Sequence, residues 1–223
     1  MLYIVPTPIG NLADMTYRAV DVLKKVDLIL AEDTRTSSVL LKYYGIEKPM
    51  GMYHKHNEHR VAARLAEQMQ AGKTVALITD AGTPGISDPA YLIVKACIEN
   101  NITVSCLPGA TAFVPAIVNS GMPTNSFCFE GFMPLKKGRQ TFLKRMAEEK
   151  RTMLFYESPM RLMRTLREFC EYIGPERQCC VSRELTKMFE ENKRGTLQEV
   201  HDYFNTKTVK GEIVIVVAGK EGK

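Results

Sequence analysis

Short apolar runs alternate with longer amphipathic stretches along the first half of the chain. The runs at 2–5, 27–31, 74–79 and 103–107 have strand length, and the stretches at 16–25, 36–44, 57–71, 89–100 and 111–120 carry helical spacing. Leu28-Ile29-Leu30-Ala31 and Val75-Ala76-Leu77-Ile78 are continuous apolar runs, which suits strands buried on both faces. Strand and helix in turn, joined by short connections, predict a mostly parallel sheet with helices on both sides. The pattern breaks at Gly121-Met122-Pro123-Thr124-Asn125, which divides the chain into an N-terminal α/β domain, 1–122, and a C-terminal mixed α/β domain, 123–223. In the second part, strands are expected at 127–130, 152–156, 178–183, near 188–193 and at 212–218, with helices at 139–149, 159–172 and 196–204. The last two strands lie close to the short segment 205–211, which predicts some antiparallel pairing and hence a mixed sheet.

Three of the first-half strands run into loops rich in Gly and Pro. Thr74–Thr79 leads into Asp80-Ala81-Gly82-Thr83-Pro84-Gly85-Ile86-Ser87-Asp88-Pro89, Leu2–Val5 into Pro6-Thr7-Pro8-Ile9-Gly10-Asn11, and Thr103–Leu107 into Pro108-Gly109-Ala110-Thr111-Ala112. Such loops present main chain to a ligand, because Gly allows positive φ and close approach while Pro fixes the turn. Pro89 is expected to open the next helix with Asp88 as its N-cap. Three loops of this kind at strand ends point to one crevice at the carboxyl edge of a parallel sheet. Glu32-Asp33-Thr34-Arg35 follows strand 27–31 and belongs to the same edge. Those charges can serve chemistry there, or Asp33 or Thr34 can simply cap a solvated helix start.

Length and composition fit an ordinary soluble protein: 223 residues, 45% hydrophobic and 25% charged. No apolar run approaches the ~18 residues of a membrane span, and no basic segment followed by an apolar core opens the chain, so a cytoplasmic protein is expected. The six cysteines have no CxxC spacing and read as buried thiols. His54, His56 and His59 lie close together but lack a completing Cys or carboxylate pattern, so no metal is expected. The net charge of +5 lies wholly in residues 124–223, and half of the residues in 136–145 are basic, a segment suited either to phosphate or to a solvated helix start. Ala71-Gly72-Lys73-Thr74 mimics the end of a P-loop, but the leading Gly position is Glu67. No GxGxxG follows any strand.

The chain resembles the tetrapyrrole (corrin/porphyrin) methylase superfamily, and within it the branch that 2′-O-methylates a cytidine in 16S rRNA of the small ribosomal subunit. The motifs are VPTPIGNLADMTYRA (5–19), AEDTRTSSVLL (31–41), HNE (56–58), DAGTPGISDP (80–89), LPGATA (107–112), EGFMPLKKGR (130–139), FYESPMR (155–161), SRELTKMFEE (182–191) and KGEIVIVVAG (210–219), in family order along nearly the whole chain. Many members of the branch carry a C-terminal extension beyond the last strand. This chain stops at Lys223, so any RNA contact made by that extension would be absent.

The resemblance implies S-adenosyl-L-methionine in a cleft between two α/β domains, a homodimer, and the small ribosomal subunit as partner. Carried over by motif, cofactor contacts fall at Ile9, Gly82, Thr83, Pro84, Ile86, Gly109, Thr111 and Ala112 in the first domain, and at Tyr156, Leu185, Glu212 and Ile213 in the second. Ile9, Ile86, Leu185 and Ile213 equally suit a packing role. A ribose hydroxyl is a weak acid, so a base should assist its attack. Asp33 or Glu32 is expected to do so, with Arg35 gripping a phosphate in bidentate fashion. His56, Asn57 and Glu58 are expected to orient the nucleotide unless Asn57 merely caps helix 57–71, and Lys136, Lys137 and Arg139 to contact RNA. Arg161, Arg164 and Arg167 line one helix face and suit either phosphate or ion pairs with Glu168 and Glu171. A small-molecule tetrapyrrole methyltransferase, or a ribosome assembly factor that binds without turnover, are the alternatives.

Overall fold

The computed structural model of the chain describes residues 1–220. Contacts divide it into two compact units, Met1–Thr111 and Ala112 onward. The first contains β1 (Leu2–Ile4), α1 (Tyr17–Lys25), β2 (Leu28–Ala31), α2 (Thr34–Tyr43), β3 (Met50–Met52), α3 (Glu58–Gln70), β4 (Val75–Leu77), α4 (Tyr91–Glu99) and β5 (Val104–Cys106). Its sheet has the order β3-β2-β4-β1-β5, and every pairing is parallel.

Strand alternation sorts the apolar side chains of this sheet into two cores. Leu2, Ile4, Leu30, Val75 and Leu77 meet Leu65, Met69, Ile93 and Cys97 of α3 and α4 on one face. Val5, Ile29, Ala31, Ala76 and Ile78 meet Ala19 and Leu23 of α1 and Leu41 of α2 on the other. With both faces covered, the polar groups of this unit gather mostly at the sheet's ends and the outer helix surfaces, the buried Ser37 of α2 being an exception. The short edge strand β3 has no counterpart in the sequence reading. Met50-Gly51-Met52 lacks branched residues and alternation, and it is recruited by pairing of Met50 to Met52 with Ile29 to Ala31. Helix α4 starts at Tyr91, two residues beyond Pro89, and its N-cap is Ala90 with no side-chain bond, so Asp88 is not a cap.

The second unit contains α5 (Phe113–Ser120), β6 (Phe127–Phe132), α6 (Arg139–Glu148), β7 (Thr152–Glu157), α7 (Pro159–Tyr172), β8 (Gln178–Arg183), β9 (Glu191–Thr196), α8 (Leu197–Asn205) and β10 (Ile213–Val217). The sheet order is β6-β7-β10-β8-β9. Only β6 and β7 are parallel; the other neighbours are antiparallel, which makes the sheet mixed as expected. The last two strands in the chain are not neighbours: β10 inserts between β7 and β8, and the hairpin is β8–β9.

Strand β9 begins at Glu191, three residues later than the pattern at 188–193 suggests. Apolar Met188 and Phe189 attracted that reading, yet they are 90% and 67% exposed on the loop before the strand. Helix α5 packs on β7, β8 and β10, Phe113 stacks on Phe129 with centroids 4.9 Å apart, and Arg194 of β9 donates to the Asn119 carbonyl. The division of contacts therefore falls before α5, upstream of the Gly121-Met122-Pro123 break. The opposite face carries the main core, where Met153, Phe155, Val181, Ile213 and Ile215 meet Leu143 of α6, Leu166 and Phe169 of α7 and Val200 and Phe204 of α8. Helix α8 is started by a capping box in which Thr196 and Glu199 satisfy each other's main-chain N–H.

Among the described residues no helix is long and apolar enough to cross a membrane. Phe155 is fully buried between the Phe142 and Phe169 rings. Phe155→Ala is expected to cost about 3–5 kcal/mol of stability in chemical denaturation. A loss below about 1 kcal/mol would show that this unit's core can close around the gap.

Candidate active site

At the carboxyl edge of the first sheet the three Gly/Pro loops are bonded to one another by main chain. Thr7 and Gly82 exchange two bonds, N–H of each to the carbonyl of the other, at 2.9 and 3.0 Å. The Thr7 hydroxyl also donates to the Thr79 carbonyl at 3.0 Å. The Thr83 hydroxyl lies 2.9 Å from the Ala110 carbonyl and 2.6 Å from the Thr111 hydroxyl, which ties the second loop to the third. Gly82 has φ +84°, a conformation L side chains rarely adopt, and a Cβ there would face Ile9. Gly109 is required for a different reason: a Cβ on it would lie 2.6 Å from the Pro6 Cβ, so the first and third loops touch only because it has none. Ile9 and Pro84 are buried beneath these loops, while Ile86 and Ala112 are half-buried.

Carboxylates gather at the same edge. Asp88, in the loop after β4, has its pKa pushed up to about 6 by burial, and further by the charges of Glu32 and Asp80. Burial and the Asp80 charge raise Glu32 against the opposing pull of His54. Asp80 is itself raised by burial and by Asp33, with the Asp33 main-chain N–H working in the other direction. Burial first, and then the charge of at least one neighbouring acid, moves each of the three toward the protonated state. Asp80 and Asp88 were not among the residues singled out from sequence as chemical groups; their separation along the chain from Glu32 hides that β2 and β4 are adjacent strands.

Asp33 has a different environment. Its Oδ1 caps α2 by accepting from Arg35 N at 2.8 Å, and its carboxylate takes Arg35 Nε and Nη2 at 3.1 and 2.7 Å. Bonding to Arg35 pulls its pKa down to about 2, which leaves it a weak base. Arg35 is 90% exposed at its side chain, so the fork is held at its root by Asp33 while its outer donors face solvent. Asn57 occupies the N-cap of α3 without a side-chain cap bond. Its Oδ1 instead accepts from His54 N at 2.9 Å and its Nδ2 donates to the Met52 carbonyl at 3.0 Å, closing the turn that carries His56. His56 is exposed and Glu58 half-buried.

In the second unit, Tyr156 stands at the end of β7 with its ring against Phe129 and Phe132. Leu185 and Ile213 are buried, and Glu212 is exposed and paired with Lys187 at 3.0 Å. Leu185 lies in a tight loop where Glu184 and Thr186 both have positive φ, and the Thr186 hydroxyl is buried with no partner among the described residues. An open cavity of about 620 Å³ adjoins this loop, walled by Glu184, Met188, Phe189, Lys210 and Gly211. The Lys136 and Lys137 side chains are exposed, with no partner among the described residues. Arg139 departs from its expected role in RNA contact: it is 3% exposed, with its guanidinium bonded to Glu168, Thr165 and the Pro134 carbonyl. Arg161 and Arg164 of α7 are held in ion pairs with Glu157 and Glu168. Among the described residues no group of His, Cys, Asp and Glu is arranged to hold a metal ion, and all six cysteines are free.

The family model described as Tetrapyrrole (Corrin/Porphyrin) Methylases matches residues 1–201. The chain is 50% identical to a Ribosomal RNA small subunit methyltransferase I of Synechocystis sp. over 98% of its own length and 79% of that protein's. It is 44% identical to the protein of that name in Thermotoga maritima, with 99% of both chains covered. In structure it is similar to uroporphyrin-III C-methyl transferase from Thermus thermophilus complexed with S-adenosylhomocysteine, at a TM-score of 0.66 and 17% identity, covering 97% of this chain and 96% of that one. The chain belongs to the tetrapyrrole (corrin/porphyrin) methylase family, in the branch of its ribosomal RNA small subunit methyltransferase I relatives, and is a methyltransferase that uses S-adenosylmethionine.

Proposed function

We propose that this protein transfers the methyl group of S-adenosylmethionine to the ribose 2′ hydroxyl of a cytidine in 16S rRNA, acting on the small ribosomal subunit in the cytoplasm. The observation that carries the reading is the set of carboxylates raised by burial and by neighbouring acids, Glu32, Asp80 and Asp88, beside main-chain loops suited to a cofactor, in a chain half identical to an rRNA methyltransferase.

The residues present fit the cofactor. Gly82, held at φ +84°, and the Thr83–Thr111 hydroxyl pair offer main-chain and hydroxyl groups without intervening side chains. Ile9, Pro84, Ile86 and Gly109 would complete the first unit's share, with Ala112 the first residue of the second. Tyr156, Leu185, Glu212 and Ile213 are the second unit's candidates, and the unpartnered Thr186 hydroxyl is an added one. When bound, S-adenosylmethionine supplies a methyl group on a sulfonium, activated for in-line displacement, so the protein's task is to position the nucleophile and take its proton.

Asp88 suits that task better than Asp33. With its pKa near 6, its carboxylate is mostly ionised at neutral pH and still more basic than an unperturbed Asp. Glu32 keeps it basic through its own charge and is the second candidate to receive the hydroxyl proton. Arg35, braced by Asp33, has its outer N–H groups free for a phosphate, and His56, Asn57 and Glu58 lie on a turn able to orient the nucleotide. The exposed Lys136 and Lys137 add cations for the RNA backbone.

Labelled methyl transfer to undermethylated small subunits, followed by nuclease digestion and mass spectrometry, is expected to yield a single 2′-O-methylcytidine. A methylated base, or no RNA product from protein that binds the cofactor, would overturn the reading, and the second outcome would favour a tetrapyrrole substrate.

Gly82→Val is expected to weaken S-adenosylmethionine binding by at least about ten-fold in calorimetry, because the side chain demands a different backbone. Undiminished affinity would remove the loop from the cofactor contacts.

For Asp88 the sign of the pH effect is fixed by its raised pKa. The base must be ionised, so kcat/KM should climb with pH up to about 6 and then level off. Asp88→Asn should lower it about 10²–10⁴-fold and abolish that limb. The same raised pKa means that the folded state retains a proton the unfolded state releases. The carboxyl's contribution to stability is thus present in acid and lost as pH rises toward 6. Asp88→Asn should consequently melt higher than the parent at pH 7, with a smaller gap at pH 4. An active, pH-independent Asp88→Asn would transfer the role to Glu32.

A further inference from the structure

Arg139 is the most deeply buried cation of the basic segment, and its bonds run in three directions. Nε donates to Glu168 Oε2 at 2.6 Å, Nη2 to the Thr165 hydroxyl at 2.9 Å and Nη1 to the Pro134 carbonyl at 2.8 Å. Its own main-chain N–H donates to the Lys136 carbonyl at 3.2 Å. The loop from Pro134 to Gly138 is therefore stitched at its start and its middle to one residue, and Gly138 completes the turn into α6 at φ +80°. Thr165 passes the connection on by donating to Glu157 Oε2 at 2.7 Å, and Glu157, fully buried at the end of β7, accepts from Ser158 N at 2.8 Å. Burial alone would push the Glu168 carboxyl up, but the bonds from Arg139 and Arg164 outweigh it and hold it ionised.

Such a network is a poor stabiliser for its own sake, since an apolar side chain of similar volume packs as well without desolvating charges. What it does supply is geometry: a guanidinium can bridge three acceptors at once, which a point-charge ammonium does not do in a plane. The loop it closes carries Lys136 and Lys137, both exposed and without a partner among the described residues, with Leu135 65% exposed beside them. A flexible loop would have to be ordered when these cations engage phosphates, and a pre-closed one would not.

We propose that Arg139 is a positioning residue for RNA: without touching the substrate, it fixes the Pro134–Gly138 loop to α7 and β7 so that Lys136 and Lys137 form a preset cationic pair for the phosphate backbone. The inference rests on the rRNA reading above. Its test is steady-state methyl transfer to undermethylated small subunits by the full chain, comparing R139M, the double change K136A/K137A, and the combination of all three. R139M keeps an unbranched side chain in the pocket and leaves Glu168 paired with Arg164.

R139M is expected to raise KM for the subunit about ten-fold with kcat within about two-fold, and to add nothing once the two lysines are gone, since it acts only through them. Additive losses, a fall in kcat at constant KM, or an R139M enzyme equal to the parent would each overturn the proposal. If R139M fails to fold, T165V keeps the Arg139–Glu168 pair while cutting the link to Glu157. It should show the same KM effect in smaller measure, again absent without the lysines, and additivity there would overturn the proposal equally. A parent enzyme that transfers no methyl to RNA would instead bring down the rRNA reading, and this inference with it.

Discussion

Two main-chain hydrogen bonds between Thr7 and Gly82 hold together the carboxyl edge of the first sheet. They join the loop after β1 to the loop after β4, and the Thr83 hydroxyl then reaches Ala110 and Thr111 in the loop after β5. Because the sheet is buried on both faces, its strand ends are where the first unit can gather polar groups toward a ligand. The bonds among the loops make that edge a single object. They also consume main-chain groups that would otherwise be unsatisfied, and the only side chains bonded between the loops are the short hydroxyls of Thr7, Thr83 and Thr111, among the described residues. Gly82 and Gly109 are there for these contacts, one for its left-handed backbone and the other for its lack of a Cβ against Pro6.

On that edge, neighbouring carboxylates are treated in opposite ways. Asp33 is neutralised at once by Arg35 and by the first turn of α2, and its pKa falls to about 2. Asp88 has like charges for neighbours and is partly withdrawn from water, and its pKa rises to about 6. Two acids on one edge of a sheet are thus held at pKa values far apart by their surroundings alone, a separation that is common at acid–base sites.

The second unit uses charge differently. Its buried Arg139, Thr165, Glu157 and Glu168 form a continuous hydrogen-bonded path in which each polar group has a partner, so the desolvation of the ions is offset locally. The unpaired cations lie just outside it, on the loop it closes. Burial has thus divided one basic run in the sequence into structural and exposed members, and Arg139 differs from Lys136 and Lys137 in what it can do even though all three are cations within a few residues.

The strands and helices of the first unit were legible because their signals are local: continuous apolar runs for strands buried on both sides, amphipathic spacing for the helices, and Gly/Pro loops at strand ends. Met50–Met52 was not, since a short edge strand owes its existence to its neighbour β2, and the start of β9 was obscured by Met188 and Phe189, apolar residues that the fold leaves in solvent. The motifs likewise pointed to the carboxyl edge of the first sheet, where Glu32, Gly82, Thr83 and Thr111 lie. Which carboxylate is basic was beyond them, because pKa depends on burial and on charges from other strands: Asp88 answers to Glu32 and Asp80, while Asp33 answers to Arg35 two residues away. The sequence by itself determined the layers, the loops and the residues available for chemistry, through patterns that act over a few residues. Only the tertiary structure decided which of those residues are paired, buried or free, because pairing and desolvation arise from segments far apart in the chain that folding brings into contact.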